Sequence, residues 1–166
     1  MILRGRAHRF GDDVNTDYVI ASRYKAKTAS IAEMARHIME DLDPSFASRI
    51  KPGDFIVAGR NFGCGSSREA APRVIREVGI AAVIAESFAR IFYRNSINIG
   101  LPILACATGF IDQDDEIEVD LAVGGVRDLT KGQAVRANPL PKVMLNVVAD
   151  GGLAAHLRKH GTFVLD

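Results

Sequence analysis

An unbroken apolar run, Phe55-Ile56-Val57-Ala58, leads into a glycine-rich loop from Gly59 to Ser67, and Glu69 to Val78 is then patterned as a helix that stops at Gly79. Ala81 to Ala85 follows as a second run of buried-strand length. Strand, loop, helix and strand in this order form a βαβ unit, which sets the loop at the carboxyl edge of a sheet, where ligands bind.

The flanking segments fill in an α/β chain. Ile2 to Phe10 alternates as a strand, Gly11-Asp12-Asp13 reads as a turn, and Tyr18 to Ala21 is a short apolar piece. Ser22 to Thr28 has no period and reads as an exposed loop. Ser30 and Glu33 have capping-box spacing, and Ile31, Met34, Ile38 and Met39 predict a helix from about Ile31 to Glu40. A further helix is expected around Phe88 to Asn95, leading into the apolar segment Leu101 to Ala105. Glu116 to Val123 and Val126 to Leu129 read as a hairpin about Gly124-Gly125, and two terminal helices, Lys142 to Ala149 and Leu153 to Lys159, are split by Gly151-Gly152. The expectation is a single mixed α/β domain over residues 1–166, with parallel and antiparallel strand pairs.

At 166 residues, 48% of them apolar, the chain supports one buried core. Its 21 basic and 20 acidic side chains leave a formal charge of +1, so no global field favours nucleic acid or an anionic membrane. Arg4, Arg6, His8 and Arg9 are followed by no apolar stretch, and no run reaches bilayer length, so a cytoplasmic protein without signal or anchor is expected. The two cysteines, Cys64 and Cys106, are expected as free thiols and are too few to hold an iron-sulfur cluster.

The chemistry concentrates in Asn61-Phe62-Gly63-Cys64-Gly65-Ser66-Ser67-Arg68-Glu69. Its glycines admit a ligand close to the backbone, and the helix start beyond offers free N–H groups to an anion. Arg68 can grip a carboxylate bidentately beside the Ser66 and Ser67 hydroxyls. The P-loop, the dinucleotide fingerprint and the hydrolase elbow all fail on these residues. Two readings stay open on the residues alone: an anion site, or a serine that merely caps the helix while Arg68 faces solvent.

The nonapeptide resembles the signature of the aconitase swivelling domain. Asp13-Val14-Asn15-Thr16-Asp17 upstream and Ala85-Glu86-Ser87-Phe88-Ala89-Arg90-Ile91-Phe92-Tyr93-Arg94-Asn95-Ser96-Ile97-Asn98-Ile99-Gly100 downstream extend the likeness to nearly the whole chain. Order and spacing are similar to those of the small subunits of isopropylmalate isomerases and homoaconitases. The resemblance implies a swivelling β/β/α domain and a hydro-lyase subunit that works only with a large subunit, in a heterodimer or heterotetramer. It implies a four-iron, four-sulfur cluster on that partner and none on this chain, no metal ligands here, and a small hydroxy-di- or tricarboxylate substrate. By the same resemblance Ser66 is the base that removes a proton next to a carboxylate, Ser67 and Arg68 contact the substrate carboxylate, and Asp17 is an active-site acid. A serine can take that role where N–H groups and Arg68 stabilise its alkoxide.

Ala70 departs from the His or Gln of many relatives. In relatives the segment after Tyr24 faces the variable substrate group, with an arginine two residues after the tyrosine in homoaconitases and apolar residues in isopropylmalate isomerases. Ala26 here suits an alkyl group, and Lys27 is in reach of a further carboxylate. The reading is therefore dehydration and rehydration of 3-isopropylmalate in leucine biosynthesis, with homoaconitase or 2,3-dimethylmalate dehydratase as alternatives and a non-catalytic anion- or RNA-binding module beside them. His156 and His160 are read as surface histidines joined by no carboxylate, and Arg90 and Arg94 as paired arginines flanking packed aromatics.

Overall fold

The computed structural model describes residues 1–27 and 30–164, the side chains of 25–27 excepted. Strand β1 (Ile2–Arg9) is the hinge of the architecture. Its last residues, Ala7 to Arg9, pair in parallel with β2 (Phe55–Ala58), while Ile2 to Arg6 pair antiparallel with β5 (Glu116–Asp120). Between β1 and β2 lie four short helices, α1 (Thr16–Val19), α2 (Ser22–Lys27), α3 (Ile31–Ala35) and α4 (Phe46–Arg49). From β2 the chain runs through α5 (Ala70–Glu77), β3 (Ala82–Ala85), α6 (Arg90–Ile99) and β4 (Ile103–Ala105), which completes the βαβ unit read from the sequence and adds a second. β6 (Gly125–Asp128) and β7 (Gln133–Arg136) extend the antiparallel half, giving the order β4-β3-β2-β1-β5-β6-β7, and α7 (Lys142–Ala149) and α8 (Leu153–His160) follow.

β2 and β3 are buried at every position because both faces are covered. Ile56, Ala58, Val83 and Ala85 pack with Val74 and Ile75 of α5 and Phe92 and Ile97 of α6. Phe55, Val57, Ala82 and Ile84 meet Ile117, Val119 and Val126, so the antiparallel half curls over the second face. Each large apolar side chain taken from water here contributes roughly 1.5–3 kcal/mol.

Three expectations are corrected. Ser22 to Lys27 is a helix, not a loop; it is held from outside, by the Ser22 N–H to Asp17 at 3.0 Å and by Arg23 to Asp41 at 2.7 Å, rather than by an apolar period. The helix begun by the Ser30 cap ends at Ala35, and Met39, with φ 56°, instead donates its N–H to Val19 O so that it and Ile38 stay fully buried. The hairpin gains a third strand, β7, a short and mostly exposed Gln-Ala-Val-Arg stretch that gave no strand pattern. Among the described residues no helix is long and apolar enough to cross a membrane.

Candidate active site

Three loops leave the carboxyl ends of β1, β2 and β3 and are laced together by main-chain bonds. The Gly63 N–H donates to Val14 O at 2.8 Å, the Thr16 N–H to Cys64 O at 2.9 Å, and the buried Thr16 hydroxyl to Ser66 O at 2.7 Å. On the other side the Phe62 N–H donates to Ser87 O and the Ala89 N–H to Phe62 O, closing an isolated bridge between Phe62 and Phe88. Gly63, at φ 80°, is seated on α6: a Cβ there would lie 2.1 Å from Cγ of Phe92. Only glycine fits that contact.

The lacing forms a cleft of about 300 Å³. Thr16, Gly65, Ser66, Ser67 and Arg68 line one wall, and Arg90, Ile91, Phe92 and Asn95 the other. A larger groove of about 790 Å³ lies among α5, α6 and α8, but neither serine nor Arg68 reaches it. Chemistry therefore favours the smaller cleft.

The helix-capping alternative for the serines fails. The residue capping α5 is Glu69, without a side-chain cap bond, and among the described residues neither serine hydroxyl has a hydrogen-bond partner. Both residues are exposed to the cleft. Arg68 does not point freely into solvent either; its Nη1 donates to Asp17 at 2.7 Å and to Ile20 O at 3.4 Å. Its Nε and Nη2 edge makes no bond among the described residues, which leaves one face of the guanidinium fork open to a carboxylate.

Ser66, Ser67, Arg68 and Asp17 are thus brought together. The backbones of Ala26 and Lys27 end α2, but their side chains lie outside the described residues. The anchor of that segment is clear: the Tyr24 ring stacks on His37 with centroids 3.9 Å apart, and its hydroxyl donates to Glu40, a bond that raises the Tyr24 pKa.

Both cysteines are free. Burial, with Asp13 nearby, pushes the Cys64 thiol upward, and burial with Glu86 pushes Cys106 to about 11. Two protonated thiols do not fit the several thiolates that an iron-sulfur cluster needs, so this chain is not built to hold one.

Two further expectations are overturned. His156 is fully buried and a carboxylate does join it to His160: Oδ2 of Asp150 lies 2.7 Å from Nδ1 of His156 and 2.9 Å from Nε2 of His160. The helix turns this face toward Asp150 and the chain end, which the local pattern did not disclose. The Val164 N–H donates to His156 Nε2 at 3.2 Å, so the proton sits on Nδ1 facing Asp150, and the group clamps the following segment onto α8. Phe92 is packed in the core as expected, but Arg90 and Arg94 pair with nothing among the described residues. Arg90 and Asn95 are the cleft residues that sequence reasoning missed. Their only signal was their place in the second matching segment.

Residues 17–108 match the aconitase C-terminal domain family. The chain is 53% identical over 161 residues to a protein of Archaeoglobus fulgidus named 3-isopropylmalate dehydratase small subunit 2, covering 97% of this chain and 98% of that one. It is 52% identical to the methanogen homoaconitase small subunit of Methanothermobacter thermautotrophicus, covering 95% and 92% of the two chains. A crystal structure of 3-isopropylmalate dehydratase from Methanocaldococcus jannaschii superposes with a TM-score of 0.92 at 45% identity, over 97% of this chain and 96% of that one.

Proposed function

Because this chain belongs to the aconitase C-terminal domain family, we propose that it is the small subunit of a 3-isopropylmalate dehydratase, a hydro-lyase that moves a hydroxyl between adjacent carbons through an unsaturated intermediate. The observation that carries the reading is the convergence of two unpartnered serine hydroxyls with the open edge of Arg68 in one cleft. The names of relatives about half identical along nearly their whole length support the substrate class.

In this reading Arg68 holds a substrate carboxylate on its Nε and Nη2 edge. Asp17, bonded to Nη1, fixes the plane in which that edge is presented, so it is a positioning residue as much as an acid. Ser66 Oγ removes the proton from the carbon next to the carboxylate, and Ser67 donates to the carboxylate beside it. The nearby guanidinium favours the negative charge that develops on Ser66; the start of α5 adds little, since the Ala71 N–H donates to Arg68 O and Pro72 has no N–H. The cluster that serves as Lewis acid for the leaving hydroxyl belongs to the large subunit; this chain has no set of thiolates for it. Assembly with that partner is therefore required for turnover, and free thiols suit a reducing, cytoplasmic setting.

The homoaconitase relative is as similar as most of the dehydratases, which makes homoaconitate the second substrate to test. Co-expression with a cluster-bearing large subunit, followed by reconstitution, should give a stable complex that dehydrates 3-isopropylmalate, read as absorbance of the unsaturated product. A reconstituted complex that turns over neither branched malates nor homoaconitate contradicts the proposal.

A further inference from the structure

We infer that Arg90, with Asn95 lining the same cleft, is a second carboxylate contact for the substrate, on the α6 wall across from Arg68; this rests on the diacid reading above. Of the residues lining the cleft only Arg68 and Arg90 carry charge. Arg68 is already balanced by Asp17 at 2.7 Å. Arg90 has no ion pair or hydrogen bond among the described residues, so it supplies the net positive charge that a dianion meets on entering.

Helix stability gives no reason for an arginine at this position. Arg90 is the first residue of α6, where the helix dipole opposes a cation, and the first turn holds no acidic residue to offset it. Asn95 is half-buried on the same wall, and its amide has no partner among the described residues. A guanidinium and an amide lining the same cleft, neither with a partner among the described residues, offer donors that a carboxylate accepts.

The wall is also rigidly tied to the serine loop. Phe92, between the two residues in sequence, is buried with its ring 5.2 Å from that of Phe62, edge to face, and it is the side chain on which Gly63 is seated. Arg90, Asn95 and Ser66 therefore share one frame and would close over a substrate together. A diacid spanning the cleft would set one carboxylate on Arg68 and the other on Arg90.

The test uses the reconstituted two-subunit enzyme and 3-isopropylmalate, with Arg90→Ala, Arg90→Lys and Asn95→Ala compared with the unaltered complex. Arg90→Ala should raise KM roughly 10- to 100-fold with kcat changed by less than about threefold, as expected for loss of a charge-assisted contact held in both ground and transition states. Arg90→Lys should recover part of that loss, and Asn95→Ala should raise KM by a smaller factor. With the two monomethyl esters of the substrate, one should respond to Arg90→Ala as strongly as the diacid does, while the other should not respond at all. An unchanged KM in Arg90→Ala overturns the inference. So does weakened assembly with a normal KM at saturating large subunit, which would make Arg90 a subunit contact. Equal responses of both esters overturn it as well. An unaltered complex inactive on every malate tested would instead bring down the functional reading beneath it.

Discussion

Asp17 and Arg68 are 51 positions apart, yet their 2.7 Å contact decides how the cleft presents charge. Holding Nη1 alone leaves the guanidinium aligned and its other edge free. Asp17→Asn should therefore raise KM for the diacid about tenfold, the scale of one charge-assisted bond lost in orienting Arg68. Steady-state kinetics check this. A fall in kcat at constant KM would instead assign Asp17 to proton transfer. The serines and Arg68 were legible because they are contiguous in one motif. Their link to Asp17 entered only through resemblance, and the resemblance placed Arg90 and Asn95 in a matching segment without placing them in the cleft, since spacing along a helix does not say which face meets a loop from another strand. His156 shows the same limit: Arg158, Lys159 and His160 make the end of α8 polar, and only the fold of Asp150 back toward α8 makes His156 a buried group.

Elements fail or hold here according to where their support comes from. β2 and β3 were readable because their unbroken apolar runs match two covered faces, and α5 because its apolar residues fall on one buried face. α2 and β7 were not, since the first rests on contacts with Asp17 and Asp41 and the second is a four-residue, mostly exposed edge strand paired only with β6. The seating of the glycine loop on α6 makes a direct prediction. Gly63→Ala combines a left-handed backbone with a Cβ 2.1 Å from Phe92, so unfolding by denaturant should show a loss of about 2–4 kcal/mol. A loss below about 0.5 kcal/mol would contradict the close packing, being the size of an ordinary surface change.

The β1 to β2 junction carries an electrostatic prediction of the same kind. Burial disfavours the Asp54 carboxylate, but donation from His8 at 2.8 Å and from the Lys51 and Arg6 N–H groups outweighs it, and its pKa lies below the ordinary carboxylate value. A carboxyl group with a lowered folded pKa adds stability above its unfolded pKa, near 3.9, and that stability is lost as pH falls through the folded pKa. Thermal unfolding between pH 7 and pH 3 should thus show a steep loss at the acidic end. Asp54→Asn should make it shallower while lowering stability at pH 7, the other lowered carboxylates, such as Asp115 and Asp150, supplying the remainder; an unchanged acid limb would contradict this role.

At the scale of the whole molecule, the cleft of the serines and Arg68 is built on the carboxyl edge of the parallel strands, and the antiparallel half covers the sheet's other face. The cleft ends in solvent, with Ile91 on its rim 53% exposed, and this chain offers no thiolate set for a cluster. Both features agree with a subunit that works against a partner. The central claim is that this half contributes the hydroxyl that moves the proton, and the most direct test is Ser66→Ala in the reconstituted complex. The hydroxyl has no partner among the described residues, so its removal should leave folding and assembly intact. In that complex kcat for 3-isopropylmalate should fall by roughly 100- to 10,000-fold, the contribution of a positioned base, with KM and complex formation little changed. A Ser66→Ala complex that retains the kcat of the unaltered enzyme would contradict it.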